Sequence, residues 1–204
     1  MINHWYVVTA AHCHGSKVTA QISTVRLGDW EVGRKRDCLL DGDGRETYCT
    51  PPVQDFTIAK GQVIVHEGYR KTPTNVENDI ALIRLPRPAI LNTGVQIVCL
   101  PINPEEAARD LNVQNLRDGL VGKRPNIVGW GYTEYDPWAT GQQGDFETTN
   151  VASSVQQRLG VPVLSSSECT KKFGKFKPIS SQICAGGEKG KDSCKVGFFF
   201  FIVK

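Results

Sequence analysis

The sequence has no long hydrophobic run. Its longest apolar stretch, 196–203, is interrupted by a glycine and is far too short to cross a membrane. Residues 1–11 lack the basic start, the extended apolar core and the small-residue cleavage site of a signal peptide. The formal net charge is only +3, so charge gives no reason to expect a nucleic acid or a membrane as partner. The 204 residues are enough for one good-sized globular domain or two small ones.

Zinc-type cysteine motifs are also missing. Seven cysteines are present, but none forms a Cys-x-x-Cys pair and none has zinc-finger spacing to a histidine. Cys13 lies between His12 and His14, an arrangement that does not provide the ligand geometry of a structural zinc. We therefore expect no metal, and the cysteines instead indicate disulfides and an oxidising, extracellular compartment. Because an exported protein needs a signal peptide, we expect this chain to lack the N-terminal part of its parent.

Short strand-like segments dominate the chain, and helical signals are few. Two short helices are predicted, one opening at Pro104 and one over 165–172, where Ser165 and Glu168 have the spacing of a capping box. The other apolar runs are β-branched or alternating and are separated by Gly, Pro, Asn and Asp. This pattern predicts an all-β sandwich or barrels, divided into two halves near residue 120. The predicted strands are 5–11, 18–27, 62–66, 80–84, 126–130, 154–163 and 182–185.

Three short segments carry residues that could perform chemistry. In Thr-Ala-Ala-His-Cys, a bridged cysteine would hold His12 rigidly, as a general base requires, although a histidine alone is better explained as a loop residue. In Asn-Asp-Ile-Ala-Leu-Ile, Asp79 is either part of an ordinary turn before a strand or a buried carboxylate that orients an imidazole. In the third segment, Asp192 lies between a glycine-rich loop and a cysteine.

Taken in this order, the three segments resemble the chymotrypsin–trypsin family of serine proteases. Val128-Gly-Trp-Gly131 and Val98-Cys-Leu-Pro101 carry the same resemblance, which extends over nearly the whole chain, from about Ile2 to Lys195. It implies an all-β, chymotrypsin-like double β-barrel whose second barrel is incomplete here. The expected organisation is 1–120 for the first barrel without its N-terminal segment, 121–195 for a partial second barrel, and 196–204 for a tail outside the family pattern.

The resemblance also implies a role for each candidate residue. His12 is expected to be the general base and general acid, and Asp79 the buried carboxylate that fixes its tautomer. Asp192 is expected to form the floor of the primary specificity pocket. An unpaired carboxylate there is costly unless a cation arrives, which favours substrates with Lys or Arg at the cleavage site. The implied activity is proteolysis through an acyl-enzyme, and it needs no cofactor.

A finer resemblance is to the clip-domain proteases of arthropods, which act in extracellular cascades of immunity and development. It is carried by Arg26-Leu-Gly-Asp-Trp30, by the loop between Cys38 and Cys49, and by Gln182-Ile-Cys-Ala-Gly-Gly187. This resemblance implies protein substrates and serpin-like inhibitors as partners of the parent protein. It also implies two disulfides, Cys38–Cys49 and Cys169–Cys184.

The sequence departs from the family pattern after Lys195. Where the family has Gly-Asp-Ser-Gly-Gly, this chain reads Val-Gly-Phe-Phe-Phe-Phe, so the position of the nucleophile falls on Phe198. A phenyl ring has no atom able to attack a carbonyl, and we expect the chain as written to be inactive. Cys13, Cys99 and Cys194 are expected to be without their family partners.

The residues around this departure suggest an artefact of the coding model. Codons for Phe198–Phe201 form an uninterrupted pyrimidine run, and the codon for Val196 begins with GT, as at the start of an intron read through by translation. A genuine truncated isoform is the alternative. For function, the alternatives are a non-catalytic protease homologue that acts as a binding adaptor in an extracellular cascade, and an unfolded product.

Overall fold

The computed structural model of the chain describes residues 1–14, 21–34, 36–73, 75–131, 153–174, 178–188 and 200–202. Within these ranges nearly all regular structure consists of short strands, and the predicted all-β class is confirmed. None of the helices in these ranges is long and apolar enough to cross a membrane. The strands preceding residue 120 are Tyr6–Thr9 (β1), Thr24–Leu27 (β2), Cys38–Leu40 (β3), Glu46–Cys49 (β4), Gln54–Thr57 (β5), Val63–Val65 (β6), Arg70–Lys71 (β7), Val76–Glu77 (β8) and Ala81–Arg84 (β9).

The remaining elements include three short helices. These are Pro104–Asp110 (α1), Leu116–Gly119 (α2) and Ser166–Phe173 (α3). The strands after residue 120 are Asn126–Gly129 (β10), Gln157–Gly160 (β11), Val163–Leu164 (β12), Cys184–Ala185 (β13) and Phe200–Ile202 (β14). The last of these lies in the predicted tail and pairs antiparallel with β10, on the edge opposite β11. The boundary near residue 120 stays a prediction.

The first half has its core between two antiparallel groups of strands. β9 lies between β1 and β6, and β2 pairs with β5. Alternation along β9 buries Ala81 and Ile83 and leaves Arg84 exposed, as a strand with one face on a core requires. The sheets among the described residues contain two or three strands and do not close into a full barrel. The buried side chains of the cluster are Val7, Val25, Phe56, Ile58, Ile83, Leu85 and Ala89.

Helix α3 begins at the predicted capping box. The Ser165 hydroxyl accepts from the Glu168 backbone N–H at 3.3 Å, and the Glu168 carboxylate accepts from the Ser165 backbone N–H at 2.9 Å. These reciprocal bonds satisfy amides that the first helical turn would leave unpaired. The bonds from the Ser165 hydroxyl and backbone N–H also lower the pKa of Glu168, because they favour its charged form.

Both predicted disulfides are present. Cys38–Cys49 closes the β3–β4 hairpin, while Cys169–Cys184 joins α3 to β13. Cys169 is fully buried, so the second bridge belongs to the packed interior of the second half. Among the described residues Cys13 and Cys99 are free, and Cys194 lies outside those residues.

Removing the buried bridge should destabilise the chain. In a Cys169→Ala/Cys184→Ala variant we expect the free energy of unfolding to fall by about 3 kcal/mol, because the unfolded chain regains loop-closure entropy. The cavity left by the two sulfur atoms should lower it further. Urea denaturation of the variant and of the parent chain measures the difference. Cys38→Ser/Cys49→Ser is the matched control, because it opens a loop of similar length at an exposed hairpin. Equal losses for the two variants would contradict a packing contribution from Cys169.

Candidate active site

The pairing of β1 with β9 brings two of the predicted site residues to one place. Thr9, the last residue of β1, lies opposite Ala81, the first residue of β9. His12 follows Thr9 by three positions and Asp79 precedes Ala81 by two, so both residues extend beyond the same end of the antiparallel pair. Residues 67 positions apart in sequence thereby become neighbours.

His12 is held by a short turn. After β1 the chain is extended at Ala10 and then forms a single 3-10 turn over Ala11–Cys13, with the Cys13 N–H donating to the Ala10 carbonyl at 3.2 Å. Ala11 is completely buried, which anchors the turn and directs the next residue outward. Small residues at positions 10 and 11 permit this close packing, and the result is a histidine on a fixed backbone.

Asp79 directly follows a residue with an unusual backbone conformation. Asn78 has a φ of +53°, in the left-handed region that asparagine tolerates better than most residues. Its side-chain Nδ2 donates to the Gly68 carbonyl at 2.9 Å, and its own carbonyl accepts from the Ile80 N–H at 2.8 Å. No role is predicted for Asn78 from the sequence, although an Asn directly before a functional Asp is a readable signal for such a turn.

The His12 and Asp79 side chains meet in a two-point contact. Asp79 Oδ2 lies 2.6 Å from His12 Nδ1, and Asp79 Oδ1 accepts from the His12 backbone N–H at 2.8 Å. An ionised carboxylate can only accept, so Nδ1 carries the ring proton and Nε2 keeps its lone pair. The His12 side chain is 56% exposed and that of Asp79 25%. The pair is therefore equipped to take a proton from a group in the solvent-facing space beside His12.

The Asp79 charge influences two neighbouring groups. Burial raises the pKa of the Cys13 thiol, and the negative charge of Asp79 raises it further. Burial likewise raises the pKa of the Tyr69 phenol, with additional contributions from Asp79 and Cys13. Both groups therefore stay protonated at neutral pH, and Cys13 does not compete as a thiolate for the proton of His12.

The other predicted site positions, Asp192 and Phe198, lie outside the described residues. The chain leading toward Asp192 is described as far as Glu188. Glu188 forms a two-point ion pair with Arg124, with both oxygen–nitrogen distances at 2.7 Å. Lys172 Nζ donates to the Gly187 carbonyl at 2.9 Å. The segment that leads toward Asp192 is thus bonded both to α3 and to the residues before β10.

Metal-ligand residues come together at one place in the described part of the chain. Cys38, Glu46 and Cys49 cluster in the β3–β4 hairpin. The two sulfur atoms are bonded to each other in the disulfide, so they offer no thiolates to an ion. These three residues lie together because of the disulfide, and they do not form a metal site.

Comparison with known proteins extends the sequence resemblance. Residues 1–196 match the family described as Trypsin. The chain is 38% identical over 197 residues to phenoloxidase-activating factor 3 of Holotrichia diomphalia, covering 96% of this chain and 47% of that protein. It is 34% identical over 200 residues to the CLIP domain-containing serine protease HP8 of Bombyx mori, covering 96% and 46%.

A solved structure shows the same architecture. The crystal structure of the Drosophila Grass clip serine protease of the Toll pathway superposes with a TM-score of 0.69 at 27% identity, covering 97% of this chain and 47% of that one. The chain therefore spans about half the length of the relatives that it matches. The matched region includes the strands on both sides of residue 120.

Proposed function

The chain belongs to the trypsin family, and from this membership we propose that it carries the general-base part of a clip-type serine endopeptidase site. The observation that supports the proposal is the two-point contact between His12 and Asp79. The proposed parent activity is hydrolysis of peptide bonds after Lys or Arg in protein substrates. Relatives with clip domains make an extracellular proteolytic cascade the natural setting, and the two disulfides suit that compartment.

In the complete site, the proposed reaction proceeds in two proton-coupled steps. His12 Nε2 takes the proton of a serine hydroxyl as its oxygen attacks the scissile carbonyl, and the imidazolium then gives that proton to the leaving amine. Asp79 stabilises the imidazolium and keeps Nδ1 protonated. Water next attacks the acyl-enzyme with His12 again as the base, which releases the acid product and regenerates the serine.

The chain in its present sequence should lack this activity. Family resemblance puts Phe198 at the position of the nucleophile, and a phenyl ring cannot form the acyl-enzyme. The test is incubation of the 204-residue chain with an arginine ester, for which we expect only background hydrolysis. Turnover that a serine-directed covalent inhibitor abolishes would overturn this part of the proposal.

Phe198 also favours a second candidate function. A protease homologue without a nucleophile could act as a binding adaptor in the same cascade. The retained His12–Asp79 pair argues against it, because an adaptor has no use for a general base. Expressed chain that is soluble and resists proteolysis would favour the adaptor, whereas aggregated or rapidly digested chain would favour a product without function.

Specificity for basic residues is proposed to come from Asp192. In an active form of the protein, Asp192→Ser should reduce kcat/KM for an arginine ester by about 100-fold to 10,000-fold, since an uncompensated buried cation costs roughly 3–5 kcal/mol. Hydrolysis of a leucine ester is the control and should fall by no more than a few-fold. An equal decrease for both esters would indicate a folding defect and would contradict the specificity role.

A further inference from the structure

We propose that Asn75 and Gln182 form an amide clasp that positions Asp79 for its contact with His12. In this arrangement the second half of the chain helps to hold the general-base pair of the first half. The inference rests on the proposed function of that pair, and it makes Asn75 and Gln182 positioning residues. Among the described residues, neither amide hydrogen-bonds to His12 or Asp79.

The clasp is a reciprocal pair of hydrogen bonds between side chains 107 positions apart in sequence. Asn75 Nδ2 donates to Gln182 Oε1 at 3.2 Å, and Gln182 Nε2 donates to Asn75 Oδ1 at 3.3 Å. Asn75 is only 9% exposed. If either amide is removed, the other stays buried without its hydrogen bond and carries the full free-energy cost of desolvation. Each side chain is therefore needed to satisfy the other.

Both amides also bind backbone, which makes the clasp rigid. Gln182 Nε2 donates to the Val76 carbonyl at 2.6 Å, and Gln182 Oε1 accepts from the Ile179 N–H at 3.1 Å. Asn75 Oδ1 accepts in addition from the Val76 N–H at 2.8 Å. Gln182 precedes the disulfide-bonded Cys184 by two positions, so the second-half end of the clasp is anchored through α3.

The segment from the clasp to Asp79 is short and contains a strained residue. Val76 and Glu77 form β8, Asn78 adopts its left-handed conformation, and Asp79 follows directly. Such a conformation persists only where the surroundings hold it on both sides. β9 provides this support after Asp79. Before Asp79, the clasp acts together with the pairing of β7 with β8 and the bond from Asn78 to the Gly68 carbonyl. The Arg70–Glu77 ion pair in the same hairpin involves a mostly exposed arginine and adds little.

Through the clasp, the geometry of the His12–Asp79 contact depends on the second half of the chain. In a trypsin-family site the second half supplies the nucleophile and the specificity pocket, while His12 and Asp79 come from the first half. A direct hydrogen-bonded link at Val76 aligns the two contributions. If the halves separate at the clasp, the contact between Asp79 and His12 should loosen even though both residues are far from Gln182 in sequence.

The test measures proton exchange in the full 204-residue chain labelled with nitrogen-15 histidine. The observed proton lies between His12 Nδ1 and Asp79 Oδ2, and its resonance is assigned by its loss in His12→Ala. In Asn75→Ala and in Gln182→Ala we expect its exchange with solvent to become at least about tenfold faster, the size expected when one buried amide is left unpaired. Hydrogen exchange of the His12 backbone N–H, which also donates to Asp79, is measured in the same samples as a second readout.

Trp130→Phe is the matched control. It removes the Trp130 Nε1 bond to the Trp30 carbonyl, a different hydrogen bond between the two halves. It should lower stability slightly and leave both exchange rates within about twofold of the parent chain. Asn75→Asp keeps the acceptor oxygen for Gln182 Nε2 but puts a second acceptor against Gln182 Oε1, so it should also speed up exchange at both positions.

Two results would overturn the inference. One is exchange at the parent rate in Asn75→Asp and in those alanine variants that fold, which would make the clasp merely structural. The other is equal acceleration in Trp130→Phe, which would indicate general loosening of the halves. Both readouts are independent of catalysis. If the variants behave as expected but residues 1–195 prove inactive when joined to the remaining part of an active relative, only the proposed function is rejected.

Discussion

A hybrid protease that contains residues 1–195 of this chain should hydrolyse an arginine ester. In the hybrid these residues replace the matching stretch of a clip-domain relative chosen because it hydrolyses the ester. The relative then supplies the serine, the oxyanion hole and the rest of the second half around His12 and Asp79. Compared with the hybrid, the 204-residue chain should be slower by about a million-fold, the loss that removal of a triad nucleophile causes.

The hybrid with His12→Ala is the matched negative control. Its activity should fall to a similarly low level, because the base and the nucleophile act as a unit and the loss of either leaves only the oxyanion hole and binding. Initial rates and active-site titration of the same preparations distinguish fewer active sites from slower ones. An inactive hybrid beside an active parent relative would show that His12 and Asp79 do not perform the proposed role.

Asp79→Asn in the hybrid should reduce kcat by roughly 10,000-fold while KM changes little. The reason is the two-point contact. The carbonyl oxygen of the introduced amide would keep the bond from the His12 backbone N–H, so the amide nitrogen would face His12 Nδ1 as a donor. His12 would then adopt the tautomer that is protonated on Nε2, and this nitrogen could no longer take a proton from serine.

Asp55→Asn is a suitable control for the loss of a carboxylate elsewhere. Asp55 accepts from Arg26 at 2.7 Å in β2–β5 and lies on an exposed surface. The hydrogen bond from Arg26 lowers the pKa of Asp55, so the substitution removes a charge that is present at neutral pH. Its effect on kcat should be less than about twofold. A decrease below tenfold in Asp79→Asn would contradict the tautomer argument.

Strand prediction succeeded where apolar and β-branched residues dominate the segment. The predicted strand 80–84 corresponds to β9, and 126–130 corresponds to β10, each within one residue at either end. β5 was missed because Gln54-Asp-Phe-Thr reads as polar. Gln54 is nevertheless buried, since its side-chain amide donates to the Ile90 carbonyl at 2.7 Å and accepts from the Ile90 N–H at 2.9 Å. Periodicity cannot reveal a polar side chain that is satisfied by distant backbone.

Sequence alone was sufficient for the all-β class, the family, the two disulfides and the capping box of α3. These features depend on local residue spacing or on short motifs, both of which can be read directly from the sequence. Tertiary structure was needed for the two-point contact of His12 with Asp79 and for the pairing of Asn75 with Gln182. The first contact depends on the register between β1 and β9, and the second joins residues far apart in sequence. The distance between such residues is set by the packing of the whole chain and not by their neighbours in sequence.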